Sequence, residues 1–135
     1  MKSNQLFNDI TILIVTHNAE NVLTSFLESL NPKFKLVIVD NASSDNTREI
    51  IKQYKTEKYK IILNEIGVGF GRGSNMGIKC INTKFTLLIN PDTTINMEAI
   101  KKLYESAKLY ENASILSPLH RNSNNEIHIP SRPFF

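Results

Sequence analysis

The chain has 135 residues, 41% hydrophobic, 21% charged and 8% aromatic, with a formal net charge of +3 and a pI near 9.0. That length suits one compact domain and argues against two full ones, and the composition argues against a disordered or low-complexity chain. Sixteen Lys and Arg against thirteen Asp and Glu, with no basic block, do not point to nucleic acid, and the lone Cys80 excludes an intrachain disulfide framework and a cysteine-rich zinc site.

Near the start the longest aliphatic run is Ile12 to Val15, or Ile10 to Val15 with Thr11 included. A signal-peptide core needs roughly 7–15 apolar residues and a membrane helix about 20, so a cytoplasmic protein is expected. Residues 10–16, ITILIVT, are β-branched and almost wholly apolar, the pattern of a strand buried on both faces of a parallel sheet. After the polar pair His17-Asn18, the residues Val22, Leu23, Phe26, Leu27 and Leu30 recur at helical spacing, and Pro32 lies beyond the end of that helix. A second apolar run, Leu36 to Val39, stops at Asp40. The turn and cap cluster NASSDNT follows, then Ile50, Ile51 and Tyr54 on one face of a short helix. Residues 60–64, KIILN, predict a third strand.

The segment GVGFGRGSNMG holds all five glycines, from Gly67 to Gly77, and its tail predicts a helix carrying Ile78 and Ile81. Residues 85–89, FTLLI, predict a fourth strand closed by Asn90-Pro91-Asp92. Met97, Ile100, Leu103, Tyr104 and Ala107 form an amphipathic stripe. Residues 113–119, ASILSPL, predict a fifth strand, and residues 120–135 an irregular, Pro-broken tail ending in Phe134 and Phe135. Strand and helix alternate, which implies an open, mostly parallel α/β sheet with helices on both faces, forming a single domain over residues 1–135. Ligands of such sheets bind at the carboxyl ends of the strands. The turns of interest are therefore Thr16–Glu20, Asp40–Asp45, Asn64–Gly77 and Asn90–Thr93.

Of the four Asp, Asp40 and Asp92 each close a predicted strand, where a carboxylate can hold a hard cation or accept hydrogen bonds from a base or sugar; each can equally cap the next helix, and for Asp45 the cap is the favoured role. Asp9 precedes the first strand and needs no special account. The glycine-rich segment contains Gly71-x-Gly73-x-x-x-Gly77 but neither GxGxxG nor GxxxxGK[ST], and it follows the third strand and not the first. It reads as a flexible loop whose glycines admit a close backbone approach. His17, His120 and His128 match no metal motif, and Cys80 is expected in the core of a helix.

Taken in order, ILIVTHNAE, VIVDNASSDNT, NEIGVGFGRGSNMGI and LLINPDTTI resemble the nucleotide-sugar half of a family 2 glycosyltransferase with the GT-A fold. The resemblance runs from about Ile10 to Leu119. The NPD form, with VDNAS and GFG…N.G, is most similar to the branch containing rhamnosyltransferases and related polysaccharide-building enzymes, and the tail NNEIHIPSRPFF resembles the stretch leading into the acceptor half.

The resemblance implies that Thr16, Asn18 and Glu20 surround the nucleotide base, and that the acidic pair reading the N3–H of uracil or thymine is here Asp40-Asn41, with the Asn accepting through its carbonyl oxygen. It assigns Gly71, Arg72 and Asn75 to the diphosphate region, although Ser74 stands where the family usually has Arg. It turns the family's Asp-x-Asp into Asn90-Pro91-Asp92, leaving Asp92 as the one charged ligand for Mn2+ or Mg2+, which accept few protein carboxylates when phosphates and water complete the shell. The implied reaction is inverting sugar transfer from a UDP- or dTDP-sugar to a polysaccharide or glycolipid acceptor, peripheral contact with the cytoplasmic membrane face being compatible with the charge. No catalytic base is assigned: beyond Asp92 lie only Glu98, Glu105, Glu111 and Glu126. The chain is thus expected to be the truncated donor-binding part of such an enzyme. A non-catalytic nucleotide-sugar-binding module is the alternative, and a receiver-like α/β domain is disfavoured because Thr16-His17-Asn18 supplies no acids.

Overall fold

The computed structural model describes residues 4–110, 112–119, 124 and 126. Two units divide the chain, Met1–Ile95 and Asn96–Phe135. In the first, helix α1 (Asn4–Asp9) leads into strand β1 (Ile10–Thr16), followed by α2 (Glu20–Ser29), β2 (Lys35–Asn41), α3 (Thr47–Gln53), β3 (Tyr59–Asn64), α4 (Phe70–Ile78) and β4 (Phe85–Leu88). Helix α5 (Met97–Leu109) belongs to the second unit.

The four strands are parallel in the order β3-β2-β1-β4. Thr11↔Lys35 through Thr16↔Asp40 set the β1–β2 register, Leu36↔Tyr59 through Asn41↔Asn64 the β2–β3 register, and Ile10↔Phe85 through Leu13↔Leu88 the β1–β4 register. The chain steps outward through β2 and β3, then returns across β1 to β4. With right-handed crossovers, the first two connections put α2 and α3 on one face and the return puts α4 on the other. Side-chain alternation agrees with this. Leu13, Val15, Val37 and Val39 cluster on the face covered by α4, while the fully buried Ile12, Ile14, Leu36 and Ile38 point to the opposite face.

Glycine is what lets α4 lie so close. A Cβ added at Gly77 would come 2.3 Å from Leu13 Cδ1, and one at Gly73 would come 3.0 Å from Val15 Cγ1. The two glycines are four residues apart and share one helix face. Each lowers intrinsic helix stability by about 1 kcal/mol relative to Ala, which packing of backbone against the sheet offsets. The glycine-rich segment is therefore not a flexible loop as expected: the helix starts at Phe70 and includes Gly71, Gly73 and Gly77, and what Gly73 and Gly77 approach is the sheet itself. Ile78 is turned outward, whereas Ile81, beyond the helix end, packs on the apolar cluster.

One element is added to those expected, and the expectations for Cys80 and residues 113–119 are corrected. Residues 4–9 form α1, with Leu6 buried and Phe7 packed edge-on against Phe34 at 4.8 Å between ring centroids; six residues are too few to show a helical period in the sequence. Cys80 lies outside the helix and is exposed, its thiol 3.7 Å from the Met76 carbonyl. Residues 113–119 form no strand, and Ile115 and Leu119 are exposed; a short apolar run broken by Pro118 is a weak strand signal. His120, His128, Glu111, Phe134 and Phe135 lie outside the described residues.

The second unit contains α5, capped by Asn96, whose side-chain oxygen accepts from Glu98 N at 2.9 Å and Ala99 N at 3.1 Å. Ile100 and Tyr104 are its buried residues, as the stripe predicts. Among the described residues no helix is long and apolar enough to cross a membrane.

Candidate functional site

The turn after β1 and the turn after β2 interlock at the carboxyl edge of the sheet. Asn18 N donates to Ser43 Oγ at 2.9 Å, Ser44 N donates to Asn18 Oδ1 at 2.9 Å, and Ala19 N donates to Thr47 Oγ1 at 2.8 Å. Glu20 N donates to Asp45 Oδ2 at 3.1 Å, and Asn46 N returns a bond to Glu20 Oε2 at 3.0 Å. Both turns use a left-handed residue, Asn18 at φ 50° and Ala42 at φ 63°. Asn visits that region readily, but an alanine there costs of order 1 kcal/mol and persists only where the surroundings hold it.

Asp40 sits at the bottom of this corner, 0% exposed. One carboxylate oxygen accepts from Thr16 Oγ1 at 3.2 Å and from Ser43 Oγ, the other from Ser43 N at 3.1 Å and Arg48 Nε at 2.7 Å. A carboxylate offers about four lone-pair sites, and all are taken. Arg48 also donates to the Asn64 carbonyl and reaches Glu65 Oε1 at 3.5 Å, so one guanidinium ties the ends of β2 and β3 to α3. Its hydrogen bond to Asp40, then the nearby negative charges of Asp40 and Glu65, raise its pKa against the opposing effect of desolvation. Asp45 is not the N-cap of α3, a position held by Asn46 without a side-chain cap bond; it stands one residue earlier and accepts from Thr47 N at 3.0 Å, closing the turn that leads into the helix. Desolvation pushes its pKa up, but hydrogen bonds from the Thr47 side chain, Thr47 N and Glu20 N outweigh that and leave it below the usual carboxylate value.

Asn41 joins a third turn to the corner. Its Oδ1 accepts from Val68 N at 2.7 Å, and its backbone oxygen meets His17 Nδ1 at 2.9 Å. Because a carbonyl only accepts, His17 carries its hydrogen on Nδ1.

The remaining predicted residues occupy a more open stretch. Gly69 precedes α4 at φ +82°, a conformation that favours glycine. Gly71, Arg72 and Asn75 are exposed on the first two turns of α4, while Ser74 is buried and donates to the Phe70 carbonyl at 2.8 Å. Nothing lies within 4 Å of a Cβ placed on Gly71. After β4, Thr93 N donates to the Asn90 carbonyl at 3.2 Å, closing a turn over Pro91 and Asp92. Asn90 and Asp92 are exposed.

The structure thus gathers Thr16, Asn18, Glu20 and Asp40 in the interlocked turns after β1 and β2, where Asn41 bonds separately to His17 and Val68, while Gly71, Arg72 and Asn75 lie on α4 after β3 and Asn90 and Asp92 in the turn after β4. Among the described residues no three His, Cys, Asp or Glu gather into a metal-binding group. The donor set at Asn90 and Asp92, one amide and one carboxylate, fits a hard cation only when other oxygens complete the shell. Arg48, Ser43 and Thr47 escaped the sequence reading. Arg48 carried a usable signal: a cation in the first turn of a helix opposes the macrodipole, so another partner must hold it there.

Comparison with known proteins decides the family. The profile of Glycosyl transferase family 2 matches residues 11–134. The chain belongs to that family. The low-salt glycan biosynthesis hexosyltransferase Agl10 of Haloferax volcanii is 30% identical, covering 84% of this chain and 37% of that protein. The poly(ribitol-phosphate) beta-glucosyltransferase of Bacillus spizizenii is 31% identical over 73% of this chain and 17% of its own length. Residues 1–349 of Staphylococcus aureus TarS superpose with a TM-score of 0.62 at 28% identity, covering 76% of this chain and 32% of that one. A mannosyltransferase from Pyrobaculum calidifontis, solved with GDP-Man and Mn2+, has a TM-score of 0.56 at 16% identity over 62% of this chain and 27% of its own, a likeness of fold alone. The open parallel sheet is of the GT-A type. The chain spans little more than a third of Agl10 and less of the other relatives.

Proposed function

We propose that this chain is the donor-binding part of a glycosyltransferase that moves a sugar, with inversion, from a UDP- or dTDP-sugar to a glycan, polyol-phosphate or lipid-linked acceptor. The observation that supports it best is the pairing, on one sheet edge, of a preorganised polar corner with an exposed Asn90-Pro91-Asp92 turn. In this reading the base lies against Thr16, Asn18, Glu20 and the Asp40-Asn41 corner, and the diphosphate lies toward Gly71, Arg72 and Asn75. Direct reading of a base N3–H by Asp40 requires Ser43 or Thr16 to give up one of its bonds to that carboxylate.

The leaving group is a nucleoside diphosphate, whose negative charge grows as the sugar bond breaks. Arg72 and the N-terminal turn of α4 supply positive potential there. Asp92, with Asn90, would hold Mn2+ or Mg2+, which when bound neutralises the diphosphate. No described carboxylate is assigned the acceptor proton. A rhamnosyl donor, as the NPD form suggests, is the finer version of this proposal.

A thermal-shift panel of UDP, dTDP, GDP and ADP, with and without Mn2+, tests it. Ligand at 100 times Kd contributes about 2.7 kcal/mol, a shift of several degrees for a chain of this size. A shift confined to UDP or dTDP and enhanced by Mn2+ is expected. No shift with any nucleotide in a folded sample overturns the donor-site reading.

A further inference from the structure

The five residues between β3 and α4, 65–69, include two glycines and lead directly into the helix turn that carries Gly71 and Arg72. Such a segment would be mobile on its own. Here it is tethered to the β2 corner at both ends. At its start, Arg48 holds the Asn64 carbonyl and reaches Glu65 while also gripping Asp40. Near its end, Asn41 Oδ1 takes the Val68 N–H at 2.7 Å. Ile66, between the tethers, is 79% exposed and has no packing to hold the loop in place.

Because the Val68 N–H can only donate, the Asn41 amide must turn its oxygen toward the loop and its NH2 away. The carbonyl oxygen that the family resemblance would offer to a nucleotide base already accepts one bond inside the protein, which fixes its direction and leaves a single lone pair. We infer that Asn41 is a positioning residue: acting through Val68, and together with Arg48, it presets the 65–69 loop and hence the first turn of α4, and it does not read the base through its carbonyl oxygen. The inference rests on the donor-site reading above and adds to it how the site is kept preorganised.

Asn41→Ala and Asn41→Asp separate the possibilities, because a carboxylate still accepts from Val68 N–H whereas a methyl group cannot. Amide exchange at Val68 and Kd for UDP, dTDP and GDP with Mn2+ are measured in parallel. Asn41→Ala is expected to speed Val68 exchange and to weaken every nucleotide the parent binds by a similar factor, about tenfold for one hydrogen bond. Asn41→Asp is expected to restore both and keep the parent's order of base preference. A change in that order in either variant, with Val68 still protected, would show that Asn41 contacts the base and would overturn the inference. So would an Asn41→Ala variant that behaves like the parent. Should Asn41→Ala fail to fold, Asn41→Asp decides alone: parent-like Val68 protection and base order support positioning, and an altered order overturns it. A parent that binds no nucleotide, with Val68 protected, overturns the donor-site reading and this inference with it; a parent that binds while Asn41→Ala changes nothing overturns the inference alone.

Discussion

The carboxyl edge of the sheet has two halves built on opposite principles. At the β2 corner Asp40 is sealed from solvent with both oxygens satisfied by protein groups, and its neighbours are laced together across two turns. The other half is open: Asp92 is exposed in a four-residue turn after β4, and the start of α4, which lies over β1 and β2, offers a bare glycine, Gly71, beside Arg72. Two carboxylates that look alike in the sequence therefore do different work. The buried one organises the protein, and its loss is felt first as instability. The exposed one costs the fold little, so its loss is felt first in ligand binding.

The sharpest way to break this comparison is Asp40→Asn. The amide can keep its oxygen toward Arg48 Nε and Ser43 N, but its NH2 then faces the Thr16 and Ser43 hydroxyls, which must accept where they now donate, and Arg48 loses the charge it is paired with. A loss of about 3 kcal/mol is expected, the lower end of what breaking a buried charge pair costs, and a melting point lower by roughly 10 °C. A melting point unchanged within a degree would mean that the corner is not the structural hub described. Gly71→Ala probes the other half with the opposite sign. With no atom within 4 Å of the new Cβ, stability should rise by about 0.5–1 kcal/mol, while nucleotide affinity falls if the ligand needs that close approach; unaltered affinity removes Gly71 from the site.

Asp92→Ala should move stability by less than about 0.5 kcal/mol, as an exposed surface change does, yet abolish the part of nucleotide binding that depends on Mn2+. Isothermal titration with and without the metal would show it, and an intact metal effect places the cation elsewhere. The smallest expected effect is at Asp45. Its folded pKa lies below its unfolded value, so the stability it contributes is present above the unfolded pKa and is lost as pH falls through the lower folded one. Asp45→Asn should flatten that stretch of the acid limb in a pH series of denaturation midpoints. A curve parallel to the parent's would remove the Asp45 hydrogen bonds from the account.

Sequence periodicity carried most of the first unit. The apolar runs at 10–16 and 36–39 became β1 and the centre of β2 because burial on both faces leaves little choice of residue. Gly73 and Gly77 were harder, since glycines at helical spacing give no hydrophobic signal, and only the closeness of Leu13 and Val15 reveals their purpose. The candidate residues were legible as motifs, but their division of labour was not. Asp40 and Asn41 stand next to each other in the chain, yet one is filled by Thr16, Ser43 and Arg48 and the other reaches across to Val68, over separations of 3 to 27 residues. Arg48 was missed because its partners, Asp40 and Asn64, belong to two different strands.

The sheet ladders have unequal lengths. β1 pairs with β2 as far as Thr16, but with β4 only as far as Leu13, and Ile89 N adds a last bond to the Leu13 carbonyl. One strand is thus interior at its beginning and, among the described residues, an edge at its end. Edges present main-chain groups without a neighbouring strand, and this one lies between the Asp40 corner and the Asn90–Thr93 turn. Ile14, Val15 and Thr16 are nonetheless buried, so this step is covered by the protein itself, and a molecule resting on the carboxyl edge meets the turns that follow the strands and not an open strand.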